Sequence, residues 1–112
     1  MHDLVTQIED LGLSNKETKV YLACLQLGAA SVQSIADSAA IKRVTAYVIL
    51  EALGALGLIT RLVKAKKTYF MAEDPIKLEG LLKRRADDLV EQQANLKALL
   101  PRLIELRVKR LG

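Results

Sequence analysis

The sequence predicts a mainly α fold with one small β-hairpin and a long C-terminal helix. Three observations carry this. Apolar residues recur at helical spacing through four successive segments up to Leu56. A single pair of β-rich runs, Leu58 to Val63 and Thr68 to Met71, brackets the short basic stretch Lys64-Ala65-Lys66-Lys67. Beyond Asp74, leucine returns every seven residues.

The first helix is expected over Asp3 to Leu11, with Leu4, Val5, Ile8 and Leu11 on one face, Asp3 as cap and Gly12 as stop. Ser14-Asn15-Lys16-Glu17 has the form of a capping box, in which the serine hydroxyl accepts from the Glu17 amide and the carboxylate reaches back. It opens a second helix with Val20, Tyr21, Cys24, Leu25 and Leu27 on its apolar side and Gly28 as its stop. Ser31 caps a short third helix that turns Val32, Ile35 and Ala36 inward, and Ser38-Ala39-Ala40 forms a tight turn. A fourth helix then starts near Ile41 or Lys42 and runs to Leu56, burying Ala46, Ile49, Leu50 and Leu53, with Gly57 ending it.

A short helix, a tight turn and a second helix make a helix-turn-helix, a weak signal alone. The basic-tipped hairpin that follows at once turns it into the order of a winged helix-turn-helix, a more specific pattern. Asp74-Pro75 then reads as a cap with proline at the first helical position. The helix it opens carries Leu82, Leu89, Leu96 and Leu103 at heptad position a, and Leu78, Arg85, Gln92, Leu99 and Leu106 at d. Unbroken to Arg110 it would span roughly 54 Å, too long and one-sided to be covered by a domain of this size. A coiled-coil-like dimerisation helix is therefore expected, with Leu78, Leu82, Leu89, Leu96, Leu99, Leu103 and Leu106 as its contact residues. Pro101 removes a backbone hydrogen bond and crowds the Lys97 carbonyl, at about 3 kcal/mol, so a kink or a break near Leu99–Pro101 is expected. The expected division is a DNA-binding domain over 1–73 and the dimerisation helix over 74–112.

Composition narrows the function. Half the residues are apolar (51%) but only 4% are aromatic, with no tryptophan, which suits a helical core of Leu, Ile, Val and Ala. No signal-peptide pattern opens the chain and no apolar run approaches membrane-spanning length, so a soluble, cytoplasmic protein is expected. Cys24 is the only cysteine and His2 the only histidine, which excludes an internal disulfide, a cysteine zinc site and any Ser/His or Cys/His catalytic pair. Cys24 reads as a small core residue and His2 as solvated. The six glycines are scattered, so no phosphate loop exists, and the pairs Glu9-Asp10, Glu73-Asp74 and Asp87-Asp88 read as solvated carboxylates. No enzyme activity, metal or cofactor is expected.

The net charge is a modest +4, but it is unevenly placed. Over residues 42–72, Lys42, Arg43, Arg61, Lys64, Lys66 and Lys67 face Glu51 alone, a local surplus of five. Two candidate sites lie there. A recognition helix enters the major groove by its N-terminal end, where Lys42, Arg43, Val44, Thr45, Tyr47 and Val48 are placed. Arg43 suits a guanine edge or a phosphate, Thr45 a base edge or phosphate oxygen, Tyr47 a sugar or phosphate, and Val44 or Val48 a thymine methyl. Arg43 also opposes the helix dipole, a cost that a ligand-facing role accounts for. On the hairpin, Arg61, Lys64, Lys66 and Lys67 suit the DNA backbone or the minor groove. A further cluster, Lys83-Arg84-Arg85, could touch phosphates or pair with Asp87 or Asp88 across a helix seam.

Leu11-Gly12-Leu13-Ser14-Asn15-Lys16-Glu17 and Val20-Tyr21-Leu22 resemble the opening of the TrmB-like winged-helix transcription regulators. Ile35-Ala36, Ile41-Lys42-Arg43, Tyr47, Leu50-Glu51, Leu53, Gly57-Leu58-Ile59 and Asp74-Pro75 continue the resemblance in order. It implies a homodimer on operator DNA, of archaeal or related bacterial type. Ala40 departs from the pattern, standing where the family often has glycine. Larger members add a sugar- or effector-binding domain, for which this sequence has no room, so no effector is carried over. The chain is either a stand-alone regulator or an excised DNA-binding part. Together these readings give sequence-specific binding of double-stranded DNA by a homodimer. The alternative is a protein-interaction module whose long helix pairs with a different partner.

Overall fold

The computed structural model describes residues 2–111. Met1, Gly112 and the side chains of His2, Arg110 and Leu111 lie outside the described residues. The elements are α1 (His2–Glu9), α2 (Asn15–Leu27), α3 (Val32–Ala39), α4 (Arg43–Ala55), β1 (Ile59–Lys64), β2 (Lys67–Ala72) and α5 (Lys77–Leu111). The fold is a winged helix-turn-helix followed by a long helix. The chain forms two compact units, Met1–Glu79 and Gly80–Gly112.

In the first unit, α2 begins where its capping box places it: the Ser14 amide donates to Glu17 Oε1 at 2.8 Å and the Glu17 amide to Ser14 Oγ at 3.1 Å. The helix is buried on more than one side. Thr18, Leu22 and Ala23 join Val20, Tyr21 and Cys24 in the core. The expected one-sided stripe is corrected at its end, where Leu25 and Leu27 stand exposed. A helix surrounded by neighbours loses the amphipathic period on which a one-face reading depends. Thr18 Oγ1 and Tyr21 Oη are buried without a partner among the described residues.

Ser31 caps α3 as expected, its Oγ accepting from the Ser34 amide at 3.1 Å. The turn begins later than the sequence suggests. Ser38 and Ala39 are still helical, and Ala40 ends α3 in the left-handed region with φ 57°. The Ile41 amide then bonds the Ala36 carbonyl at 3.0 Å, closing the turn. Lys42 is the N-cap of α4, whose buried residues are Ala46, Leu50 and Leu53, while Ile49 is half-buried.

At the end of α4, Gly57 adopts φ 79°, and the Leu58 amide reaches the Leu53 carbonyl at 3.0 Å. This is the αL stop that only glycine makes without strain. Leu58 is thus a buried turn residue, not the first of the strand. The hairpin is in register from Ile59↔Ala72 to Lys64↔Lys67, closed by the two residues Ala65 and Lys66 in place of the four expected. One bridge has no counterpart in the sequence reading: Ala30, between α2 and α3, pairs with Phe70 through amide bonds of 3.0 and 2.8 Å.

Asp74 does cap the next segment, with Oδ1 accepting from the Ile76 amide at 2.9 Å. Pro75 opens not α5 itself but a tighter turn, in which Lys77, Leu78 and Glu79 donate to residues three back. The α-helix therefore starts two residues later than expected. Its 35 residues include Pro101, so the break allowed for there does not occur. Good helix formers flank the proline on both sides, and continuity through them outweighs one missing bond. Leu81 is buried and Leu78 half-buried, whereas Leu82, Leu89, Leu96, Leu99, Leu103 and Leu106 are all exposed.

Cys24 is 1% exposed, and burial pushes its thiol up to about 12 from the ordinary 9.0. Only the unfolded chain releases this proton just above pH 9, so the group's stabilisation is complete below that pH and is lost as pH climbs towards 12. Denaturant titrations between about pH 8.5 and 10 will show stability falling by up to about 1.4 kcal/mol per pH unit. Cys24→Ala will flatten that fall while lowering stability at neutral pH. Ala40→Gly will act oppositely at neutral pH. Relieving the left-handed alanine will raise stability by about 1 kcal/mol, read as a rise of several degrees in Tm.

Candidate nucleic-acid interface

The start of α4 differs from those of α2 and α3. Both of those are capped by serine hydroxyls, whereas Lys42 offers α4 no side-chain acceptor, and the first turn of α4 carries no acidic residue. Its first amides are left for an external acceptor, with Lys42 and Arg43 beside them. The outward face continues with Val44, 77% exposed, Tyr47, and Val48, 62% exposed. Large aliphatic side chains on open helix surface give up a sizeable gain, since burying each would stabilise the fold by roughly 1.5 kcal/mol or more.

Tyr47 is held in place. Its ring meets Phe70 edge-on, with centroids 6.4 Å apart and planes at 82°. Phe70 is 2% exposed and sits on β2, opposite Arg61 in the hairpin register. The contact therefore joins the outward side of α4 to the hairpin. Between them opens a cleft of about 590 Å³, lined by Ser31, Val32, Gln33, Arg43, Tyr47, Arg61, Lys67, Thr68 and Tyr69.

The expected residues fall into three groups. Arg43 and Tyr47 from α4 share the main cleft with Arg61 and Lys67 from the hairpin. Val44 and Val48, with Arg43, Tyr47 and Val32, line an adjoining and mainly apolar hollow of about 310 Å³. Lys42 and Thr45 line a separate shallow depression together with Lys16. Lys64 and Lys66 are exposed at the hairpin tip and do not line the main cleft. Lys16, Ser31, Gln33, Thr68 and Tyr69 are not singled out as site residues by the sequence. Ser31 and Lys16 read there only as parts of helix starts. The signal for the others, alternation along β2 and one turn of α3, gives a face but not a neighbour.

The hairpin tip violates two local preferences. Ala65 and Lys66 both have positive φ, 52° and 65°, where Asn-Gly would be unstrained. Lys64 and Lys67 are direct cross-strand partners of like charge. Both features weaken the isolated ribbon, and the lysine pair concentrates positive charge at its tip.

The family model of the sugar-specific transcriptional regulator TrmB matches residues 8–75. The chain belongs to the TrmB family. The match takes in every element from α2 to β2, with Arg43, Tyr47 and all four basic hairpin residues inside it. Among curated proteins, no sequence relative matches. Among solved structures, the archaeal chromatin protein TrmBL2 superposes with a TM-score of 0.80 at 19% identity, over 94% of this chain and 40% of its own. The chain thus spans less than half the length of that protein. A MarR-family regulator from Silicibacter pomeroyi gives 0.56 at 20% identity, over 88% of this chain and 75% of its own. A homodimeric winged helix-turn-helix DNA-binding domain from Mycobacterium bovis gives 0.53 at 21%, over 80% and 84%. These similarities share the fold, and the matching family model is that of a transcriptional regulator. Among the described residues, no helix is long and apolar enough to cross a membrane.

Proposed function

We propose that the chain is a cytoplasmic, non-enzymatic transcriptional regulator that binds double-stranded DNA sequence-specifically as a homodimer. The carrying observation is the shared cleft, where Arg43 and Tyr47 of α4 open onto the same space as Arg61 and Lys67 of the hairpin. A duplex entering from that side meets both elements together. The start of α4 goes into the major groove, and the hairpin lies along the backbone or in the minor groove.

The roles follow from chemistry. Arg43 forks onto a guanine edge or grips a phosphate, and Thr45 and Tyr47 supply hydroxyl groups to bases or backbone. The bare methyls of Val44 and Val48 suit thymine. Lys42 and Lys16, across one depression from Thr45, suit phosphates beside the uncapped amides of α4. Lys64, Lys66 and Lys67 contribute charge without sequence information. The homodimer reading is supported by the exposed leucines of α5, and by the homodimeric state of the Mycobacterium bovis domain. DNA as the ligand is supported by TrmBL2, whose structure shows a novel mode of DNA binding. Residues 1–73 serve as the DNA-binding domain and 74–112 as the dimerisation helix.

Fluorescence anisotropy on duplexes across a salt series tests this. Exchanging Lys64, Lys66 and Lys67 together for alanine will weaken binding to every sequence. It will also reduce the log–log salt slope by about 0.9 for each phosphate that is no longer neutralised. An unchanged slope would remove the hairpin from the interface. Arg43→Ala will cost about tenfold or more on a site selected from random duplexes and much less on unselected DNA. Equal weakening on both would reduce Arg43 to a phosphate contact.

A further inference from the structure

Along α5 the exposed leucines form one seam, Leu82, Leu89, Leu96 and Leu103 at position a with Leu99 and Leu106 at d. The charged residues that border this seam specify more than the presence of a second copy. Among the charged residues, position e carries Glu79 and Arg107, and position g carries Asp88, Arg102 and Lys109, all five exposed. Lys109 is engaged within its own helix, in an ion pair with Glu105 at 3.4 Å.

We propose that α5 pairs with α5 of a second copy in the antiparallel direction, in the register that sets Leu82 against Leu106 and Leu89 against Leu99. The proposal rests on the homodimer reading above and adds direction and register to it. In a parallel pair, each g residue faces the e residue of the following heptad on the other helix. Arg102 would then face Arg107 of the second copy, twice per dimer, and Asp88 would face only Gln93. The polar d residues Arg85 and Gln92 would each meet their own copies in the seam.

In an antiparallel pair, g faces g and e faces e. The proposed register brings Asp88 to Arg102 and Glu79 to Arg107 of the second copy, and by symmetry each pairing occurs twice. The Arg102–Arg107 repulsion of the parallel arrangement is removed, and each of these arginines faces a carboxylate instead. Leucine also faces each polar d residue: Leu96 meets Gln92, and Leu103 lies over the aliphatic stem of Arg85. Sliding by one heptad in either direction keeps two kinds of leucine–leucine layer but forfeits both the Asp88–Arg102 and the Glu79–Arg107 pairing; one of the slides offers Asp88 only Lys109, already paired with Glu105 within its own helix. Like-charge juxtaposition acts against the wrong arrangement as much as attraction favours the right one.

The register has a centre at Ala94, which gives a direct test on the full chain. Cys24 is buried, so a single introduced cysteine takes a spin label selectively. Labels on Ala94→Cys will lie close together, within about 20 Å across two helices. Labels on Val108→Cys will be 28 residues apart along the axis, about 42 Å at 1.5 Å per residue. A dimer with short distances at both sites overturns the antiparallel direction and leaves the dimer standing. A chain that stays monomeric at all concentrations overturns the dimer reading together with the proposal. A second measurement separates the two directions by sign. Arg102→Asp will loosen the dimer about tenfold if antiparallel, by facing Asp88, and combining it with Asp88→Arg will restore affinity. If Arg102→Asp instead tightens the dimer, by facing Arg107, the proposal fails.

Discussion

Phe70 is the fixed point of the globular unit. Its ring is buried, its edge-on contact holds Tyr47, and its amide and carbonyl both bond Ala30. Three segments far apart in sequence are thereby tied to one residue: the loop between α2 and α3, the outward side of α4, and the second strand. A two-stranded ribbon is marginal alone in water. This one persists because its base is anchored at Phe70 and its return is closed by the Glu73 amide on the Leu58 carbonyl at 2.9 Å. The spacing between helix and ribbon, on which a shared cleft depends, is set at that anchor rather than at the exposed tip.

The surface around the cleft is assembled from departures from local preference. α4 begins with cations and no cap, its outward face is aliphatic, and the ribbon tip sets lysine against lysine over a left-handed alanine. Each departure is small, and each lowers the stability of the free protein. Their concentration on α4 and the hairpin is what a consistent folding sequence would avoid unless these elements had another use. The core shows no comparable cluster of exceptions, among the described residues, beyond the unpartnered hydroxyls of Thr18 and Tyr21.

Much of this architecture is legible in the residues. The capping box at Ser14 and Glu17, the cap at Ser31 and the stop at Gly57 each act through atoms of neighbouring residues, so a local pattern is enough to locate them. The discrepancies have physical reasons too. Leu25 and Leu27 read as interior because a helix covered on several sides hides which residues are innermost. Ala39 and Ala40 both read as turn residues, because nothing local distinguishes a helical alanine from one forced into the left-handed region. The Ala30–Phe70 bridge and the joining of Arg43 with Arg61 are long-range, and no sequence period encodes them. The cationic residues can be found one by one, but that Arg43, Arg61 and Lys67 share one cleft requires the fold.

The opposed lysines at the ribbon tip couple its rigidity to its surroundings. Two ammonium groups held across one rung repel each other until an anion sits between or beside them. A polyanion that docks there removes the repulsion as it gains its own contacts, so ordering the tip and engaging the ligand become a single thermodynamic event. Small anions from the medium offer the same relief, which makes the free ribbon stiffer in concentrated electrolyte while screening it from any polyanion.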